Sequence, residues 1–185
     1  MDREELKWLG SVQRSDRRGH RSILLKMRLN NQKQANGMSR GSERVKQFLL
    51  EKKIEAEVRE LDESTRTSQM AADALGCDVM QIAKSIVFIN ASTAVVVTSG
   101  DKRVDDRKLT KLLGHKVYMA DADSVRKRTG YVIGGVPPFP HREEVKVFLD
   151  RALSRCDYVW TAAGTPNSVF KIRVDAMKKI LGSDL

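Results

Sequence analysis

From Ser42 onward the apolar residues fall into short, regular groups. Val45, Phe48, Leu49 and Ile54 recur at helical spacing, with Ser42 as a candidate N-cap. Ala56, Val58 and Leu61 fit a strand. The polar run Ser64 to Ser68 leads into a short helix, Met70 to Leu75, ended by Gly76. Asp78 to Ala83 predicts another helical turn. Ser85 to Ile89 and Ala94 to Thr98 are β-branched runs joined by Asn90 to Thr93, a hairpin signal. Val104, Leu109, Leu112 and Leu113 mark a helix ended by Gly114. Val117 to Ala120 reads as a strand and Asp121 to Thr129 as a helix. Val145 to Leu149, Asp157 to Trp160 and Phe170 to Val174 are strand-like, and Asp175 caps a final helix through Leu181. Strands and short helices mix without regular βαβ alternation. The pattern predicts an α+β fold, one domain around a mixed β-sheet.

Residues 1–37 differ from the rest. They carry nine lysines and arginines from Arg3 to Lys33, few apolar residues beyond Ile23-Leu24-Leu25, and a linker-like tract from Asn30 to Gly37. Three readings fit: a basic arm for binding nucleic acid, a loosely packed helical extension, or residues upstream of a start at Met38. The domain proper is expected over 38–185.

Composition narrows the classes. The 185 residues carry a net charge of +10, a footprint suited to a polyanionic partner. Aromatic residues are only 5%, too few for a platform that stacks many single-stranded bases, so contact is expected mainly to phosphate. There is no run of 18 apolar residues and no signal-peptide core, which predicts a cytoplasmic protein without a membrane span. Cys77 and Cys156 stand alone, without the spacing of a zinc site or a disulfide framework. HExxH, GxSxG, GxxxxGK[ST] and GxGxxG are absent, and no cofactor or metal is expected.

What chemistry remains centres on loops. In Thr129-Gly-Tyr-Val-Ile-Gly-Gly-Val-Pro-Pro-Phe-Pro-His141 two adjacent glycines precede a proline brace. Glycines permit close approach or positive φ, and prolines fix φ. The segment fits either a loop presenting N–H groups to a ligand or a tight turn between elements. Lys84, before the apolar run of Ser85 to Ile89, is either a cation aimed into a cleft or a solvated strand-end lysine. His141 fits a surface histidine as well as a site residue. Asp101 and Asp105 fit caps or turns. Gly164-Thr-Pro-Asn-Ser168 is a second polar loop, readable as a plain turn.

Taken in order, these pieces resemble one family. Thr65 to Gly76 followed by Ile82-Ala-Lys84-Ser-Ile-Val-Phe88, the turn Ser99 to Val104, the GxxxP loop from Gly134 to Pro138, and Ala162 to Phe170 resemble the YbaK-like family, the prolyl-tRNA-synthetase-associated editing domains. The likeness spans roughly residues 42–182. It implies an α+β domain with short flanking helices that hydrolyses the ester of mischarged aminoacyl-tRNA. The expected substrate is a small amino acid on tRNA-Pro or a similar tRNA, and an aminoacyl-tRNA synthetase is a further candidate partner. By resemblance, Lys84, Gly134 and Gly135 are the expected catalytic residues. Thr65, Val136, Pro138, His141, Gly164 and Asn167 are the expected substrate-binding residues. The alternative is a non-catalytic tRNA- or nucleotide-binding module of the same fold. Two positions depart from the family pattern. Ala162 stands where cysteine-editing relatives carry serine, and Pro140 where near relatives carry glycine.

Overall fold

A computed structural model describes residues 40–62, 65 and 67–182. The expectations for residues 1–37, and the boundary at Met38, lie outside the described residues. In chain order the elements are α1 (Arg40–Glu51), β1 (Glu57–Glu60), α2 (Ser68–Leu75), a 3-10 turn (Val79–Gln81), β2 (Ile82–Ile89), β3 (Thr93–Ser99) and α3 (Asp106–Leu113). There follow β4 (Tyr118–Met119), α4 (Ala122–Thr129), β5 (Lys146–Leu149), a second 3-10 turn (Arg151–Arg155), β6 (Tyr158–Ala162), β7 (Ser168–Arg173) and α5 (Val174–Leu181).

The strands build one mixed sheet in the order β1-β7-β6-β2-β3-β5, with β4 paired to β2 off this path. β2 and β3 form an antiparallel hairpin, with Ala83 opposite Ser99 and Ile89 opposite Thr93. The β2–β6 and β3–β5 pairs are parallel. This is the expected α+β arrangement around a mixed sheet.

Alternation across the central strands feeds cores on both faces. On one face Ala83, Val87, Val95 and Val97 pack with Val45 and Leu49 of α1, Val125 of α4 and Met177 of α5. On the other, Ile82, Trp160 and Val169 take Ala71 and Ala72 of α2, while Phe88, Ala94 and Val96 take Leu109 of α3. Covering both faces explains why β3 reads as an unbroken apolar run rather than an alternating one.

Local signals set the helix ends. Thr67 Oγ1 accepts from the Met70 N–H and Gly76, at φ 63°, closes α2. Asp105 and Asp121 cap α3 and α4 in the same way. Several boundaries differ from expectation, and three of them bear on the site and its supports. α1 starts at Arg40, so Ser42 lies within it, buried, with Oγ 3.0 Å from Ser168 Oγ. α5 starts at Val174, which puts Asp175 in its first turn. A capping box between Asp78 and Gln81 starts a 3-10 turn that spans only Val79–Gln81, and β2 begins directly after it at Ile82, so Lys84 lies inside the strand rather than before it.

Candidate functional site

The two neighbours of β2 on one edge leave a gap between them. β6 pairs with Ile82 and Ala83, and β4 with Phe88 and Ile89. Between these ends a cleft of about 240 Å³ opens, lined by residues 82–86 of β2, by Trp160, Thr161 and Ala162 of β6, and by Thr67, Ser68 and Ala71 of α2. Thr65, Ile133, Gly134, Val136, Pro166 and Val169 complete it.

Lys84 is the only ionisable residue among those lining residues. Its Nζ donates to the Gly100 carbonyl at 2.9 Å. Burial lowers its pKa; the nearby Asp101 carboxylate opposes that shift and the Arg103 charge reinforces it. Asp101 is itself engaged. Arg155 donates to both its oxygens, at 2.7 and 3.1 Å, and Ser99 Oγ donates at 2.6 Å. These bonds, that from Arg155 first, hold its carboxyl well below the usual carboxylate range. The Ser99–Asp101 turn is thereby fixed, and with it the Gly100 carbonyl that aims Lys84.

The glycine–proline loop divides its expected residues. Gly134 lines the cleft at φ +82°, and the Gly135 N–H donates to the Val132 carbonyl at 3.0 Å, closing a turn over residues 132–135. Gly135 does not line the cleft. A Cβ there would lie 2.8 Å from the backbone of Thr165, so this glycine lets two loops meet. Val136 lines the cleft, whereas Pro138 is buried behind it. Phe139 packs on Phe48 and Phe170 with ring centroids 5.1 and 6.1 Å apart. His141 is also behind the wall, with Nε2 2.9 Å from the Pro137 carbonyl oxygen, and burial lowers its pKa. Tyr131 Oη donates to the Pro140 carbonyl at 2.7 Å and ties the two ends of the loop together.

The second loop is a brace. Thr165 Oγ1 donates to Asn167 Oδ1 at 2.9 Å, and the Asn167 carbonyl accepts from the Leu61 N–H at 2.7 Å. Gly164, at φ +99°, meets Gly41 so closely that a Cβ would lie 2.3 Å from its carbonyl carbon. Neither Gly164 nor Asn167 lines the cleft; they hold Pro166, which does. Of the expected site residues the fold therefore gathers Thr65, Lys84, Gly134 and Val136 at one cleft. Gly135, Pro138, His141, Gly164 and Asn167 stand in the layer behind it.

Sequence reasoning missed Trp160, Thr161, Ile133 and the Asp101–Arg155 pair. The first two sit in an apolar strand whose pattern announces only a core. Arg155 reaches Asp101 across more than fifty residues, which no local pattern reports. Among the described residues no group of three or more His, Cys, Asp or Glu could hold a metal ion, and no helix is long and apolar enough to cross a membrane.

The family model of the aminoacyl-tRNA editing domain matches residues 62–180. Uncharacterized protein YwhH of Bacillus subtilis (strain 168) is 34% identical over 120 residues, covering 64% of this chain and 76% of that protein. The crystal structure of a proposed trans-editing enzyme for prolyl tRNA synthetase superposes with a TM-score of 0.74 at 35% identity, covering 80% of this chain and 96% of that one. Hypothetical protein APE2540 superposes with a TM-score of 0.71 at 26% identity, over 76% of this chain and 95% of its own.

Proposed function

The chain belongs to the aminoacyl-tRNA editing domain family, and we propose that it is a freestanding deacylase that hydrolyses mischarged aminoacyl-tRNA. The reaction is attack of water on the ester carbonyl carbon, loss of the ribose oxygen, and release of a free amino acid and intact tRNA. The observation that carries this reading is the cleft at the gap in the sheet, whose lining includes both a partly desolvated cation, Lys84, and the glycine turn at Gly134.

An aminoacyl ester is already activated, so the task is to position it and to stabilise the oxyanion. Lys84 supplies the positive charge, either to the carbonyl or to the phosphate of the terminal adenosine. The N–H groups of Gly134 and Val136 are the candidate donors from the loop, because the N–H of Gly135 is spent within its turn. Ile133, Val136, Ala162 and Pro166 supply apolar wall, which suits a short side chain. The net charge of +10 suits attraction to an acceptor stem. A tRNA-Pro carrying a small amino acid is the expected substrate class.

One observation favours a second reading. No carboxylate, histidine or cysteine is among the described lining residues, so no side chain there is an evident general base. A tRNA- or nucleotide-binding module would need none. A panel of mischarged tRNAs incubated with the purified protein separates the two: release of amino acid above the uncatalysed rate supports the deacylase, and binding without release supports the module.

A further inference from the structure

The cleft contains two hydroxyl groups with nothing to bond. Ser85 and Thr161 both line it, and Ser85 Oγ and Thr161 Oγ1 are each buried without a hydrogen-bond partner. Thr161 is only 1% exposed. Buried polar groups are nearly always paired, so two orphans in one cleft call for an explanation. Valine or alanine would fill the same volume without that penalty.

Their placement follows from the sheet. Thr161 pairs with Ala83 in parallel register, and Ser85 lies two residues further along β2. Both side chains therefore share the face of Ala83 and Val87, opposite to Lys84. The backbone of Ser85 joins them. Ile82 accepts from the Gly100 N–H on the β3 side, and Val87 accepts from the Ala120 N–H on the other side. Alternation turns the N–H and C=O of Ser85 the same way as Val87, into the gap between β6 and β4.

We propose that Ser85 and Thr161 hold the α-amino group of the aminoacyl moiety, with the Ser85 carbonyl as a third acceptor. This rests on the deacylase reading for the identity of the ligand. The amine brings up to three N–H donors, and two hydroxyls and a carbonyl match them in number and kind. Lys84, on the opposite face, has donors only and is left to serve the carbonyl or a phosphate. A cleft that reads a free amine discriminates by chemistry as well as by size. It rejects peptidyl- and N-formylated aminoacyl esters, which lack that amine.

The test uses two non-hydrolysable amides, 3′-alanylamino-3′-deoxyadenosine and its 3′-propionylamino counterpart, which differ only in the amine. Calorimetry should show the wild type preferring the alanyl compound by about tenfold or more, the scale of a hydrogen bond to a charged group. Ser85→Ala and Thr161→Val should each erase most of that preference while leaving propionyl affinity unchanged. Thr161→Ser should keep it, which guards against a fold defect in the other variants. Equal weakening of both compounds, or an undiminished preference in both variants, would overturn the assignment. A wild type that hydrolyses aminoacyl-tRNA but binds the two amides alike sinks this inference and not the deacylase. A wild type that prefers the alanyl amide yet hydrolyses no ester does the reverse.

Discussion

Replacing Lys84 with methionine keeps most of the aliphatic stem and removes one charge. The loss of stability should be small, because one hydrogen bond to the Gly100 carbonyl disappears at a half-buried position, about 1 kcal/mol. The loss of rate should be much larger. A unit charge about 4 Å from a developing oxyanion interacts by about 4 kcal/mol at an effective dielectric constant of 20. Removal of a single oxyanion donor elsewhere costs about 2.7–4 kcal/mol, so deacylation should slow by about 10²- to 10³-fold. Single-turnover release of labelled alanine from tRNA measures this directly. A fall in kcat at constant KM places the cation on the carbonyl, and a rise in KM places it on the phosphate. The pH profile adds a second readout. Only protonated Lys84 carries the charge, so the wild-type rate above background should fall as pH rises through the folded-state pKa. Burial puts that value below the ordinary 10.5, so the fall should begin on the acid side of it. Near-wild-type turnover in folded Lys84→Met, or an enzymatic rate that keeps climbing past pH 10.5, would refute the role.

The adjacent glycines should separate cleanly. Gly134→Val meets only ordinary contacts at Pro166, 3.6 Å away, but must hold φ +82°, so it should lose activity while melting only a few degrees lower. Gly135→Ala drives a Cβ to 2.8 Å from the Thr165 backbone and should lower the melting temperature further; equal melting of the two variants would contradict the loop packing described above. Deacylation rates on a common tRNA should fall from alanine to valine to phenylalanine, since Ile133, Val136, Ala162 and Pro166 exclude bulk more readily than they reject small groups. A preference for phenylalanine would show that the wall does not work by exclusion. A chain starting at Met38 should retain hydrolysis of free mischarged tRNA and, if residues 1–37 are a tRNA-binding arm, show a shallower dependence of tRNA affinity on salt. Loss of hydrolysis in a folded truncation would move part of the site into that segment.

Much of this protein is written locally. Thr67 with Gly76, Asp105 with Gly114, and Asp121 with Gly130 mark three helices at both ends, because caps act within a turn or two of chain. The β-branched runs of β2 and β3 and the short polar link between them are enough for a hairpin. Lys84 and Gly134 stand out as candidates in the local pattern, and only the family resemblance gives them a role there. Other features depend on contacts between distant segments. β6 and β4 meet the same edge of β2 at opposite ends, and only that arrangement opens a gap at Ser85. Thr161 reads as one more core position until its hydroxyl is found without a partner. His141 and Asn167, which the resemblance alone put among the substrate-binding residues, are placed by packing beside the Pro137 carbonyl and Thr165. Pattern and propensity report what a residue does to its own few turns of chain. Whether a side chain faces a cleft or braces the wall behind it is settled by elements far away in sequence, whose positions the sheet alone decides.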